Sequence, residues 1–179
     1  FNDKDKEEYD LQQVENKKST ENGTFIHKVL ELAILDNVRI FKKLNKLDDY
    51  INEALISQDV KREVLEIGDK KDYLNEMAKN VLGPFFESEF RNIDPIFSEI
   101  FLKVSKIQGS IDLVFMKDKQ LYIGDFKSSK KPKSRKQLID NGYLRQLYIY
   151  SVMMLEAGLI TKKEYDNLNF EIFFFQWNS

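Results

Sequence analysis

The sequence predicts an α/β fold: a central mixed β-sheet flanked by helices, with a helical region ahead of the sheet. Three observations carry that expectation. Stretches rich in β-branched and aromatic residues follow one another closely at Ile96–Ser105, Gly109–Met116 and Leu121–Phe126. Apolar residues at helical spacing fill much of the chain before them. A helical segment and then a strongly β-like run, Phe170–Trp177, come after.

Taken in order, residues 1–18 are highly charged with little periodicity and read as a solvated or frayed helical lead-in. Thr20 or Asn22 is expected to cap a helix over about 24–35, with Ile26, Val29, Leu30 and Ala33 inward. Amphipathic pieces follow, around Phe41, Leu44 and Leu47, around Tyr50, Ala54 and Leu55, and around Val64, Leu65 and Ile67. Tyr73, Leu74, Met77 and Val81 recur at helical spacing until Gly83-Pro84, expected to end that helix, and Pro95 marks a second break. Beyond the three strands, a helix runs from Tyr143 to Glu156 with Gly158 as its stop, and Thr161–Asp166 reads as a short helix. The expected organisation is one domain over 19–179, with the helical region at about 36–95 inserted before the core sheet. The start at Phe1 and the close on a strand predict a fragment with a truncated C-terminus.

Composition narrows the chemistry. The 179 residues are 42% hydrophobic and 13% aromatic, as in a globular protein with a sizeable core. Net charge is only −2, so contact with a polyanion must come from local patches. The absence of Cys excludes disulfides, Cys-zinc sites, thiol nucleophiles and cysteine-held iron–sulfur clusters together. No apolar stretch approaches the roughly 18–20 residues that span a bilayer. The opening FNDKDKEEYD bears no resemblance to a signal peptide. An intracellular protein without membrane contact is expected, in the cytoplasm of a bacterial or phage-infected cell or in an organelle such as the mitochondrion, and not secreted.

The most informative feature is the pair of runs GSIDLVF (109–115) and LYIGDFKSS (121–129), separated by a short polar stretch. A turn centred on Asp118-Lys119 sets Lys117 opposite Gln120 and, counting back, Asp112 opposite Asp125. A charged residue on a strand is ordinarily solvent-facing. Here Ile111, Leu113, Phe115, Leu121, Tyr122 and Ile123 make nearly continuous apolar runs, as in strands covered on both faces. A carboxylate there must be paired, protonated or metal-bound, and two facing each other are expected to hold a divalent cation. Lys127, two residues beyond Asp125, projects from the same face, where an ammonium can orient water and offset charge on a phosphate.

Further pieces join this pair. His27 is the only histidine and its imidazole suits Mn²⁺ or tolerates Mg²⁺, although a lone histidine is more often a surface or core residue. Glu31, one turn later, shares its helical face and touches the same site or is simply solvated. Gln146 and Tyr150, spaced i and i+4 beside Tyr143, can donate hydrogen bonds to a phosphate or a metal-bound water, or pack among aromatics. A basic run over 127–136 leaves directly from the acidic strand. Charge runs are usually solvated loops, but this one stands at the mouth of a carboxylate site, with Ser128, Lys130, Lys131 and Lys133 expected to face a polyanionic substrate.

In order, these residues resemble the motif series of the PD-(D/E)XK nucleases, in their RecB-like exonuclease branch. G-T-F-I-H-K-V-L-E (23–31) is similar to the first motif, Gly109–Leu113 to the second, Gly124–Ser129 to the third and Gln146–Tyr150 to the fourth. Within the branch, the stretch Asp125–Lys133, Asp140-Asn141 and the Gln146–Tyr150 helix resemble the mitochondrial genome maintenance exonuclease group and its microbial or phage relatives. The resemblance implies a restriction-endonuclease-like core. It also implies hydrolysis of DNA phosphodiester bonds from single-stranded ends, in replication, repair or recombination. It assigns metal to His27, Asp112, Asp125 and the Phe126 carbonyl, catalysis to Asp112, Asp125 and Lys127, and support to Gln146. Glu99 and Glu31 are both candidates for the family's extra acidic position.

The expected mechanism is hydrolysis by water activated at one or two Mg²⁺ or Mn²⁺ ions, in a monomer acting on single-stranded DNA. An endonuclease of the same fold and a non-catalytic nucleic-acid-binding module are the alternatives. The intact Asp-Asp-Lys set disfavours the module, and the basic run disfavours a hydrolase of small molecules.

Overall fold

Asp118 and Lys119 both adopt positive φ, 51° and 63°, the two-residue turn whose twist matches that of its flanking strands. It joins β2 (Ile107–Lys117) to β3 (Gln120–Lys127) in antiparallel register from Lys117↔Gln120 to Leu113↔Gly124, the register that the polar turn predicts. The computed structural model describes residues 21–36, 47–63 and 67–175. The charged lead-in, the Thr20 cap, the piece opened by Phe41 and Leu44, the Val64-Leu65 pair and the end of the last β-like run at Trp177 lie outside them.

Among the described residues one four-stranded sheet has the order β1-β2-β3-β4. β1 (Asp94–Val104) pairs antiparallel with β2 across a tight turn at Ser105-Lys106. Pro95 does not break the chain as expected. It lies within β1, at the sheet edge, where a residue without an N–H is tolerated, and the ladder shifts between Pro95 and Phe97. β4 (Asn169–Phe174) runs parallel to β3, from Tyr122↔Asn169 to Lys127↔Phe174, which makes the sheet mixed.

A parallel neighbour requires a crossover, and residues 128–168 supply it with α5 (Arg135–Asp140), α6 (Tyr143–Glu156) and α7 (Lys162–Asp166). α6 ends as predicted: Gly158 takes φ 73° and the Leu159 amide reaches back to the Met154 carbonyl. A capping box at Thr161 and Glu164 starts α7.

Helices cover both faces. On one, α1 (residues 21–36), α2 (Leu47–Ile56) and α4 (Ile67–Glu87) pack on Leu113, Phe115, Phe126 and Phe173. On the other, α6 buries Leu147, Met153 and Met154 against Ile111, Val114 and Ile123. A short α3 (Gln58–Glu63) follows α2. No helix among the described residues is long and apolar enough to cross a membrane.

Two local expectations are corrected here. Gly83-Pro84 does not end α4, which continues to Glu87 because Phe85 and Phe86 bury their rings against Phe90, Phe173 and Phe175. That burial, about 1.5–3 kcal/mol per side chain, offsets the hydrogen bond that Pro84 forfeits in the last turn. Asn22 lies inside α1 and donates to the Tyr73 hydroxyl of α4 at 3.0 Å, tying the helices together instead of capping.

Gly124 marks where the sheet and the aromatic layer are closest. A Cβ there would stand 3.1 Å from the Phe115 ring, 3.2 Å from Phe173 and 3.4 Å from Leu113. Gly124→Val is therefore expected to destabilise the fold by about 1–3 kcal/mol through overpacking. A lowered midpoint in urea denaturation would support this, whereas an unchanged one would show that the rings yield.

Candidate metal centre

Asp112 occupies the next β2 position after the last β2–β3 ladder pair, Leu113↔Gly124. There its Oδ2 accepts the Phe126 amide at 2.7 Å, a bond that fixes the carboxylate against the end of β3. Asp112 is 7% and Asp125 3% exposed, so both carboxyls of the predicted pair are buried beside one another. Burial pushes the Asp112 carboxyl up to about 8; His27 works against this shift, while Asp125 adds to it by hydrogen bond and charge.

From the other side comes β1. Glu99 falls between Ser98↔Leu113 and Ile100↔Ile111, which sets it alongside Asp112. Its φ of 49° is a conformation that residues other than glycine seldom adopt, and such strain concentrates at functional sites. His27 arrives from α1, whose Phe25, Ile26, Val29 and Leu30 are buried in the core. Gly23 makes the close docking possible, since a Cβ there would sit 2.7 Å from the Ser128 Oγ. His27 Nδ1 lies 3.6 Å from Asp112 Oδ1 and 3.8 Å from Glu99 Oε1, and Nε2 is 2.9 Å from the Phe126 carbonyl oxygen. With Nε2–H donating to that carbonyl, Nδ1 is the nitrogen turned to the carboxylates. Burial opposes charge on this imidazole, but Glu99, Asp112 and the Phe126 carbonyl outweigh it and raise its pKa.

His27, Glu99 and Asp112 each offer a ligand atom within 4.8 Å of the others. An octahedral shell with bonds of about 2.1 Å puts neighbouring ligand atoms about 3 Å apart and opposite ones about 4.2 Å apart, so these separations suit a small divalent cation. One imidazole among carboxylates is a donor set for Mn²⁺ that Mg²⁺ also accepts. Asp125 lies outside this triad. Its Oδ2 is buried, 2.9 Å from Lys127 Nζ but not aligned for a hydrogen bond. A buried carboxylate oxygen without a hydrogen bond is a ready acceptor for a cation, and the site fits one.

Lys127 is held on three sides. Besides Asp125, its ammonium donates to Gln146 Oε1 at 3.0 Å and lies 4.9 Å from the centre of the Tyr143 ring. Gln146 Nε2 in turn donates to the Tyr150 hydroxyl at 2.8 Å. Gly109 lets α6 come this near, because a Cβ there would lie 3.1 Å from Tyr150 Cε1. Burial raises the Tyr150 pKa and the Asp125 and Asp112 charges act with it, while Gln146 and Lys127 oppose.

The remaining predicted positions are arranged less tightly. Ser128 is half-buried, and Lys130, Lys131 and Lys133 stand exposed on the segment leading to α5. Glu31 is not brought to the triad; it accepts from Lys28 at 3.3 Å on the same helix. Of the two acids, it is Glu99 that lies beside His27 and Asp112. Counting back from the Ser105-Lys106 turn would have set it opposite Asp112, the same logic that paired Asp112 with Asp125. Tyr143 over Lys127 escaped sequence reasoning, because the rotation of α6 about its axis is fixed only by packing.

A family model described as the PD-(D/E)XK nuclease superfamily matches residues 6–177. The chain is also similar to the A subunit of the ATP-dependent helicase/nuclease of Staphylococcus haemolyticus (strain JCSC1435). The two are 27% identical over 133 residues, which covers 66% of this chain and 10% of that protein. The chain thus spans about a tenth of that relative's length.

Two outcomes follow from this geometry. Glu99→Gln is expected to weaken Mn²⁺ binding, read by calorimetry, by at least about tenfold, the effect that even an outer-shell partner commonly has; unchanged affinity would remove Glu99 from the site. The second outcome concerns pH. Asp112 and His27 both have folded pKa values above their unfolded ones, so in the metal-free protein these two groups bind more protons folded than unfolded between about pH 4 and 8, and their contribution to stability falls as pH rises. Thermal midpoints in EDTA are expected to drop across that range, and to drop less in Asp112→Asn. Equal slopes would contradict the assignment.

Proposed function

The chain belongs to the PD-(D/E)XK nuclease superfamily, and on that footing we propose that it hydrolyses phosphodiester bonds of DNA from single-stranded ends, with Mg²⁺ or Mn²⁺ as cofactor. One observation carries the reading: two buried carboxyls side by side, with an imidazole and a third carboxylate at one flank and a pinned lysine at the other. A nuclease needs such a centre, because the phosphodiester is anionic and repels an attacking hydroxide.

His27, Asp112, Asp125 and the Phe126 carbonyl, joined by Glu99, are the groups that would hold the cation. When bound, it supplies Lewis-acid stabilisation of the phosphate and lowers the pKa of a bound water. The chain's own residues do the rest. Lys127 orients the attacking water and meets the charge that grows on the phosphate oxygens. Gln146 accepts a hydrogen bond from that ammonium and Tyr150 steadies Gln146, so the lysine is aimed before substrate arrives. Ser128, Lys130, Lys131 and Lys133 line the approach, where positive charge draws in the backbone.

The exonuclease assignment and its place in replication, repair or recombination rest on the likeness of Asp125–Lys133 and Gln146–Tyr150 to the mitochondrial genome maintenance exonuclease group. The helicase/nuclease relative supports a role on nucleic acid.

End-labelled linear and circular single-stranded DNA, incubated with and without Mn²⁺, test the proposal together. The wild type is expected to shorten the linear strand only with metal and to leave the circle intact, and Lys127→Ala to lose about 100-fold or more in rate. Cutting of the circle would indicate an endonuclease; binding without cleavage of either substrate would indicate a non-catalytic module.

A further inference from the structure

Between β4 and the crossover segment that leads through α5 into α6 lies a cavity of about 380 Å³. Phe170, Ile172 and Phe174 of β4 line it with Leu144 of α6, together with Lys131, Lys133 and Arg135. Among the described residues no carboxylate lines it. Phe170 is 38% exposed, a large apolar ring left open beside a cluster of cations.

The groove is joined to the catalytic lysine. Phe174 is the register neighbour of Lys127, and the Tyr143 ring lies 4.9 Å from the Lys127 ammonium and 6.1 Å, centre to centre, from the Phe174 ring. A continuous aromatic and basic path therefore leads from the site of chemistry into the cavity. Its volume falls within the range of small-ligand pockets and admits a nucleotide-sized group.

We propose that this groove holds one unpaired nucleotide of the substrate strand beside the scissile phosphate, its base on Phe170 and Phe174 and its phosphates against Lys131, Lys133 and Arg135. The inference rests on the nuclease reading and deepens it. The charge pattern selects a polyanion. The aromatic rings in the lining select one whose bases are free, because a duplex keeps its bases stacked inside and offers only phosphates to such a groove. The groove thus favours single strands without reading their sequence, since every base has a π-face.

The test is fluorescence anisotropy with a labelled oligothymidylate and a blunt duplex of equal length, in EDTA so that neither is cut. Phe170→Ala is expected to weaken single-strand binding about tenfold and to leave duplex binding unchanged. Because a truncated ring can disturb the fold, the exposed double variant Lys133→Ala/Arg135→Ala serves as the second probe. It is expected to weaken single-strand binding and to lower the salt slope by about 0.7 for each phosphate no longer neutralised. Full single-strand affinity in both variants, or equal losses on both substrates, would overturn the proposal and leave the groove to an acidic peptide or a duplex. The two readings fail separately. Mn²⁺-dependent cleavage by the wild type with unaltered variant affinity removes the groove alone, whereas selective loss of binding without any wild-type cleavage removes the nuclease alone.

Discussion

The site depends on one constraint: two carboxyls must stay side by side in the interior of a sheet. In water they would repel weakly, but in the interior burial raises the proton affinity of Asp112 and the neighbouring Asp125 adds to it. Every neighbouring interaction answers that constraint. The Phe126 amide fixes the Asp112 oxygen, His27 brings a group that is positive when protonated, and Lys127 sets an ammonium against Asp125. A divalent cation does the same more strongly, which is why a fold built around this pair suits a metal.

The constraint also explains the architecture. A hairpin alone would leave both carboxyls wet and ordinary. Covering helices on the two faces exclude water, and they do so asymmetrically: α1 contributes the imidazole, α6 the Gln146 amide and Tyr143 ring that hold the lysine and the Tyr150 hydroxyl that holds the amide. Small residues permit both approaches, Gly23 on the α1 side and Gly109 under α6. With Gly124 beneath the aromatic layer, the glycines near the site act through missing volume, at places where helices and strands converge on a common point.

Much of this was legible in the sequence where local chemistry decides. The Asp118-Lys119 turn sets the β2–β3 register and with it the proximity of the acidic pair. The extent of α6 follows from its apolar spacing and Gly158. What was not legible depends on distant partners. Pro84 and Pro95 read as breaks, yet aromatic burial carries α4 past the first and an edge position accommodates the second. Asn22 reads as a cap, but a tyrosine 51 residues away claims its amide. Glu99 and Glu31 stood as equal candidates because the register was counted for the second hairpin and not for the first, where it sets Glu99 level with Asp112; the positive φ of Glu99 has no local pattern to announce it.

His27 meets Phe126 across 99 residues of chain, whereas Asp112 meets it across 14. Closing the longer loop costs about 2 kcal/mol more in chain entropy. The carboxyl half of the centre is therefore assembled from local hairpin contacts, and the imidazole half waits on the docking of α1. α1 is held there by its own buried face, Phe25, Ile26, Val29 and Leu30, so the imidazole leaves the centre only if that whole helix lifts away. The histidine is accordingly tied to one helix and the paired acids to one hairpin, so undocking of α1 would strip the centre of its imidazole donor while leaving those two acids in place.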